Sequence, residues 1–230
     1  MAVSVNRVYQ KVLAILNKEQ RGYVTPQEFN LFANEAQMDI FEQYFYDINQ
    51  FSRMHGNDTE YSDMLNILNE KISAFEAEGA VTGGTTLPND LYRLGTIKVS
   101  AGGKRTVEAE RVNKNEYLYL DRSPLTRPTD TRPIYIRDEN GVKVYGDAQL
   151  TTGVTCNYIK VPTSPQWKYQ IVFDEPLYDS TNSVDFSLHE SEEVELVHKI
   201  LELSGLLLKD SGVYQIANQE EIETIQQEKA

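Results

Sequence analysis

The apolar residues of this chain change their spacing twice, and that change limits what the chain can fold into. Over about the first 75 residues, apolar side chains recur every three or four positions, as they do on one face of an α-helix. The pattern then disappears for about a hundred residues and returns near Ser187. Helices on both sides of a non-helical stretch must bury their apolar faces against one another, so the middle stretch is predicted to be an insertion.

Three helices are predicted before the insertion. The first covers residues 3–16, and the second begins at Thr25-Pro26-Gln27-Glu28, a capping box with proline at the first helical position. The third is capped by Asn57 or Asp58 and ends before Gly79. The second helix has a broad apolar face, of which most is predicted core and the rest a contact with another subunit. That face consists of Phe32, Ala33, Ala36, Ile40, Phe41, Tyr44, Phe45, Ile48 and Phe51.

The middle stretch predicts an antiparallel β module. Its clearest hairpin pairs residues 133–137 with residues 142–145 through Asp138-Glu139-Asn140-Gly141, where Asn-Gly supplies the positive φ angles of a tight turn. Several strands at this spacing indicate a small sandwich or barrel. The predicted strands are 92–99, 105–112, 117–120, 134–137, 142–145, 154–161 and 170–173.

Helical spacing returns at a second capping box, Ser187-Leu188-His189-Glu190, and continues to Leu208. Carboxylates crowd the first turns of this helix, where they oppose its macrodipole and are predicted to be solvated. These carboxylates are Glu190, Glu192, Glu193 and Glu195.

The last twenty residues form a tail with few apolar residues. It is either a frayed terminus or a segment that becomes ordered when it binds a partner. On the second interpretation, the partner-docking residues are Tyr214, Ile216, Ile222 and Ile225.

These patterns predict an α+β fold. Three N-terminal helices and one long C-terminal helix form a helical bundle, interrupted by an antiparallel β-sandwich or barrel and followed by an extended tail. The predicted domains are residues 1–80 and 181–210 for the bundle, 81–180 for the β domain and 211–230 for the docking tail.

The net charge of −13 argues against a general duplex-DNA binder, because neutralising phosphates requires a surplus of Lys and Arg. The charge is also uneven. Residues 1–92 carry 6 basic and 13 acidic groups, residues 93–143 carry 11 and 7, and residues 144–230 carry 5 and 15. The basic middle is either a solvated β surface or a patch that meets an acidic flank of the next copy in a head-to-tail contact.

No residue pattern indicates an active site. The single cysteine, Cys156, excludes an intramolecular disulfide and fits a reducing cytoplasm, and His55, His189 and His198 are too scattered for a metal cluster. The N-terminal segment has no continuous apolar run, so it predicts neither a signal peptide nor a membrane anchor. We expect no enzyme, catalytic residue, metal or cofactor, and no membrane contact, although a convergent active site would not show in one sequence.

Five segments, 6–13, 22–30, 87–94, 123–128 and 156–162, carry a resemblance that covers most of the chain. In order along the chain, they resemble the head-to-tail connector proteins, the ring or adaptor subunits, of crAss-like phages. More distantly, a helical bundle interrupted by a β domain is similar to the tail tubular protein A gatekeepers of short-tailed phages, which is an analogy of fold.

The resemblance implies a virion structural protein that is assembled in the host bacterial cytoplasm. It implies a homo-oligomer, a ring of twelve subunits below the portal protein, in contact with other connector or tail rings. The C-terminal segments would reach a neighbour or the portal, and genomic DNA would pass through the lumen without sequence-specific binding. An acidic lumen would let DNA slide. The resemblance implies no catalytic residue.

One alternative is a surface-binding module of a tail or capsid, with a carbohydrate-binding β domain on a helical stalk. Its signature would be exposed aromatic side chains, for which Trp167, Tyr158 and Tyr169 are the candidates. The strand order favours core packing for these residues.

Overall fold

The computed structural model describes residues 2–18, 24–51, 64–100, 105–139, 141–173, 175–207 and 219. In this part of the chain the fold is α+β, which confirms the predicted class, with five α-helices, a six-stranded sheet and a two-stranded sheet. The chain divides into two compact units. The β unit is residues 75–161, and the helical unit is residues 1–74 together with 162–230.

The boundaries of the β unit differ from those of the predicted domain, 81–180. At its start, Glu76–Ala80 forms a strand that pairs along its whole length with residues 155–159, where the sequence predicted the end of the third helix. At its end, residues 162–180 belong to the helical unit. Tertiary pairing decided the first boundary, and no local pattern signalled it.

The helical unit contains four of the helices and a hairpin. Helix α5 (Glu193–Leu207) packs against α1 (Val5–Lys18) and α2 (Pro26–Phe51), and α2 packs against α3 (Met64–Ser73). A single turn of 3-10 helix, Glu190–Glu192, precedes α5. The hairpin consists of β7 (Tyr169–Val172) and β8 (Glu175–Tyr178).

The first predicted capping box is confirmed. The Thr25 N–H donates to the Glu28 carboxylate (2.9 Å), and the Glu28 N–H donates to Thr25 Oγ1 (3.3 Å), at the start of α2. These two bonds satisfy backbone donors that a helix leaves unpaired at its first turn. The cap predicted at Asn57 or Asp58 lies outside the described residues.

The second predicted capping box is wrong. Ser187 does not cap the helix, because its N–H donates to the Gln37 side chain (2.9 Å) and its hydroxyl bonds the Thr163 hydroxyl (2.7 Å). His189 takes the capping role two residues later, where its Nδ1 accepts from the Ser191 N–H (3.3 Å). Helix α5 therefore begins after the 3-10 turn.

The strands of the β unit are β1 (Glu76–Ala80), β2 (Leu91–Val99), β3 (Val107–Arg111), β4 (Ile134–Asp138), β5 (Gly141–Tyr145) and β6 (Val154–Lys160). They form a mixed sheet in the order β1-β6-β2-β3-β4-β5. The hairpin of β4 and β5 is confirmed, with Asp138 opposite Gly141. Gly141 has a φ of +139°, and a Cβ there would lie 2.0 Å from the Thr85 carbonyl oxygen, so this close approach requires glycine.

The predicted β module is not wholly antiparallel, so that part of the prediction is wrong, whereas its closure into a sandwich or barrel stays a prediction. Strands β3 and β4 are parallel, and the six strands described form one sheet. Parallel neighbours need a crossover connection, usually through a helix. That connection contains helix α4 (Lys114–Arg122), so the strand predicted at residues 117–120 is wrong.

A core substitution on α2 tests the packing of the helical unit. Phe41 is fully buried and meets Phe45 edge-on with ring centroids 5.1 Å apart. Phe41→Ala should lower the free energy of unfolding by roughly 3–5 kcal/mol in urea titrations, because it removes a buried ring and leaves a cavity. Leu31→Ala on the same helix is the control, since Leu31 is 70% exposed and should cost under about 1 kcal/mol. Equal losses would contradict the packing described.

Candidate interaction surfaces

Two amide side chains of α2 hold the segment that follows the β unit. Asn30 Nδ2 donates to the Trp167 carbonyl (3.2 Å), and Asn30 Oδ1 accepts from the Trp167 N–H (2.7 Å). The amide thus forms the same pair of bonds with the Trp167 backbone that a residue of a neighbouring β-strand would form. Gln37 is fully buried, and it donates to the Thr163 carbonyl (2.9 Å) while accepting from the Ser187 N–H (2.9 Å). Two amide residues seven positions apart, beside the apolar stripe of α2, could have indicated this contact. The sequence analysis did not recognise them.

Trp167 anchors the base of the β7–β8 hairpin. Its ring is buried, lies 4.5 Å from the Tyr9 ring between centroids, and stacks with Tyr169 and Tyr178 at 5.7 Å each. Its Nε1–H donates to Asn6 Oδ1 (3.1 Å). The hairpin is therefore attached to the helical unit by an aromatic stack at its base.

The aromatic residues considered for glycan binding do not form an exposed platform. Trp167 and Tyr158 are buried, and the Tyr158 hydroxyl donates to Asp90 Oδ1 (2.9 Å). Only Tyr169 is partly exposed, and it belongs to the helical unit, not the β unit. This placement supports core roles for Trp167 and Tyr158.

The hairpin ends in an exposed apolar turn. Val172 pairs with Glu175, so Phe173 follows the last pair of the hairpin and lies in its turn. Phe173 is 98% exposed and has a φ of +53°. Turn positions with positive φ favour Asn, Asp or Gly, and a bulky side chain there is strained. The chain therefore places a large apolar ring in solvent at a conformational cost.

Apolar side chains cover both faces of this hairpin. Ile171 lies opposite Pro176 on one face, and Leu177 shares the other face with Val172, because side chains alternate along a strand. Exposed apolar patches of this kind mark interaction sites. We call this surface the hairpin knob: Ile171, Val172, Phe173 and Leu177. Sequence reasoning missed it because residues 170–173 were predicted as a strand, with Phe173 inside it.

A second exposed apolar surface lies on α4, in the β unit. None of the residues in this helix is buried, although Tyr117 stacks on Tyr145 with ring centroids 4.6 Å apart. Leu118, Tyr119 and Arg122 lie on one side of the helix, given their spacing of three and four residues. We call this surface the α4 face: Leu118, Tyr119, Arg122 and, in the following turn, Leu125, which is 94% exposed.

Two of the four carboxylates predicted to be solvated are buried in ion pairs. Glu192 accepts from Lys71 of α3 (2.8 Å), and Glu193 contacts Lys11 (2.8 Å) and Arg7 (3.2 Å) of α1. Burial raises the pKa of both carboxyl groups, but their cationic partners outweigh it, and each pKa lies below its ordinary value of 4.5. The charges therefore tie the start of α5 to two other helices.

Other predicted site residues fall in several places. The docking residues Tyr214, Ile216, Ile222 and Ile225 all lie outside the described residues. Cys156 is buried in the β-unit core, where burial raises the pKa of its thiol.

Within the described ranges, no group of three or more His, Cys, Asp or Glu could hold a metal ion. Of the helices that the structure describes, none is long and apolar enough to cross a membrane.

The buried ion pairs predict a loss of stability in acid. Glu192 and Glu193 have lowered pKa values in the folded chain, so their contribution is complete above the ordinary pKa and is lost as the pH falls through the folded values. Urea titrations between pH 7 and pH 3 should show the free energy of unfolding decline below about pH 4.5.

Removing one partner of a buried ion pair tests the same cluster. Lys71→Met leaves Glu192 buried without its cation and should cost about 3 kcal/mol at pH 7. Lys98→Met is the control, because it breaks an exposed pair with Glu78 and should cost under about 1 kcal/mol. Equal free energies of unfolding for the two variants would mean that the ion pair between Lys71 and Glu192 does not stabilise the fold.

Replacing the strained turn residue should stabilise the chain. Phe173→Asn puts a residue that tolerates positive φ at this position, and the free energy of unfolding of the monomer should rise by about 1 kcal/mol. Leu177→Asn, on the extended part of the hairpin, should give no such gain. A loss on Phe173→Asn, measured by urea titration at low protein concentration, would mean that the ring stabilises the single chain.

Comparisons with known proteins identify no family for this chain. None of the models of known protein families matches it. Among curated proteins, none matches it in sequence. The function must therefore be inferred from the chain's own residues and surfaces.

Proposed function

We propose that this chain is a virion structural protein, a subunit of the ring that connects the head to the tail of a short-tailed bacteriophage. Twelve copies form the ring, which binds the portal protein and the adjoining connector or tail rings. Genomic DNA passes through its lumen. The chain performs no catalysis, is assembled in the bacterial cytoplasm and remains in the virion. The observation that carries this proposal is the hairpin knob.

The knob supports an assembly role because neither its strained turn nor its exposed ring contributes to packing within the described part of the chain. Phe173 packs on no core, and its positive φ costs stability. Such strain persists where it serves function. A projecting apolar turn fits a recess on another protein, whereas a small-molecule site is a cavity lined by converging side chains.

The resemblance to connector proteins supports the identity of the assembly. The segment 22–30 includes the capping box of α2, and the segment 156–162 includes most of β6. The segment 123–128 follows α4 and contains Leu125 of the α4 face. The resembling segments therefore lie in both units and include an exposed surface as well as core elements.

The charge distribution supports passage of DNA without binding. The helical unit carries 10 basic and 24 acidic residues, and the β unit carries 12 and 11. An acidic wall repels phosphates, so DNA would move past it without being held. We also propose that α1, α2, α3 and α5 form one bundle, which gives the subunit a rigid wall.

The mass of the assembled protein tests this function. Light scattering after gel filtration should give about twelve times the chain mass of 26.3 kDa, either for the protein alone or with the portal protein encoded in the same genome. Phe173→Asp should abolish assembly or portal binding. Leu31→Asp, which changes another exposed apolar residue, should leave both intact. A wild-type chain that stays a monomer or dimer and does not bind the portal protein would refute the connector role.

A further inference from the structure

We infer that the hairpin knob of one copy docks on the α4 face of a second copy. The inference rests on the proposed ring, since it names the two surfaces through which neighbouring copies meet. Each surface is exposed in the single chain, so each has room for a partner.

The two surfaces match in apolar character. The knob offers Phe173 and Leu177 from a narrow projecting hairpin, and the α4 face offers Leu118, Tyr119 and Leu125 from a helix that buries none of its own residues. A nine-residue helix of this kind is marginal without tertiary packing. Covering it with the knob removes apolar surface from water on both partners.

The two surfaces are also complementary in charge. Residues 169–185, around the knob, include four acidic residues and no basic one, and residues 111–127, around α4, include four basic and two acidic residues. Two of these four cations form ion pairs within the chain, Lys114 with Asp138 and Arg127 with Asp121. Asp179 stays ionised near neutral pH, because hydrogen bonds from Asn182, Gln170 and the Thr181 N–H hold its pKa below the ordinary value. Arg122 forms no ion pair with another described residue. Opposite charges around an apolar centre fix orientation and speed association.

The contact uses different surfaces on its two partners, so it is heterologous. Each pair of copies leaves an unused knob at one end and an unused α4 face at the other. Further copies add until the rotation between them closes a ring. This geometry accounts for assembly through one kind of contact without a twofold dimer.

Site-specific photo-crosslinking tests the contact in the full-length chain. p-Benzoylphenylalanine replaces Phe173, which preserves an aromatic ring, and the product is mixed with ¹⁵N-labelled wild-type chain, with and without portal. Irradiation should join position 173 to residues 114–127 of the labelled copy, as read by mass spectrometry of the peptides. Crosslinks mainly to other residues, to the same chain or to portal, or no crosslink, would overturn the inference.

A mixing experiment tests the heterologous geometry. Phe173→Asp removes the knob and Tyr119→Asp disrupts the α4 face, and both side chains are exposed, so neither variant should melt at a lower temperature than the wild-type chain. Each alone should self-associate at least tenfold more weakly than wild type. An equimolar mixture should form a heterodimer through the one intact contact, and a mixture that stays monomeric would contradict the inference.

The outcomes of these experiments distinguish a failure of this contact from a failure of the proposed connector role. If Tyr119→Asp still forms rings of wild-type mass on portal, the ring stands and this contact is wrong. If wild-type chains crosslink as described but never form a ring or bind portal, the contact stands and the connector role is wrong.

Discussion

The hydrogen bonds from Asn30 and Gln37 hold the helical unit together across the insertion. The chain leaves this unit after residue 74 and re-enters it at residue 162. The two amides of α2 then fix the backbone at Thr163, Trp167 and Ser187. Without them, partly buried N–H and C=O groups would lose these partners, at a cost of up to about 1–3 kcal/mol each. The position of Trp167 in turn sets where the hairpin knob leaves the unit.

The same anchoring decides how α5 begins. Because Ser187 is bound to α2, the helix is capped by His189, and Glu192 and Glu193 enter the interior instead of solvent. Lys71 and Lys11 neutralise them from α3 and α1. Buried charges tolerate few alternative partners, so this cluster specifies which helices meet.

The sequence correctly predicted those features of the fold that a few neighbouring residues determine. The Thr25 capping box and the β4–β5 hairpin form within a few residues, and both were identified correctly. Residues 117–120 are a short apolar run, Tyr-Leu-Tyr-Leu, of the kind that also occurs in strands, yet they lie in a helix. That helix belongs to the crossover that the parallel pairing of β3 and β4 requires, which no local pattern shows. The burial of Glu192 and Glu193 depends on cations of distant helices. The candidate site was not predicted at all, because Phe173 occupies a turn position where its residue type is disfavoured.

The chain therefore combines two folded units with two exposed surfaces suited to repeated contact. An exposed apolar knob on an acidic unit and an apolar helix with basic neighbours are features expected of a chain that meets copies of itself. Electron microscopy of the assembled protein, alone or on portal, tests this most directly. The account predicts closed rings of about twelve subunits around an open channel. Open filaments, or particles without rotational symmetry, would contradict it.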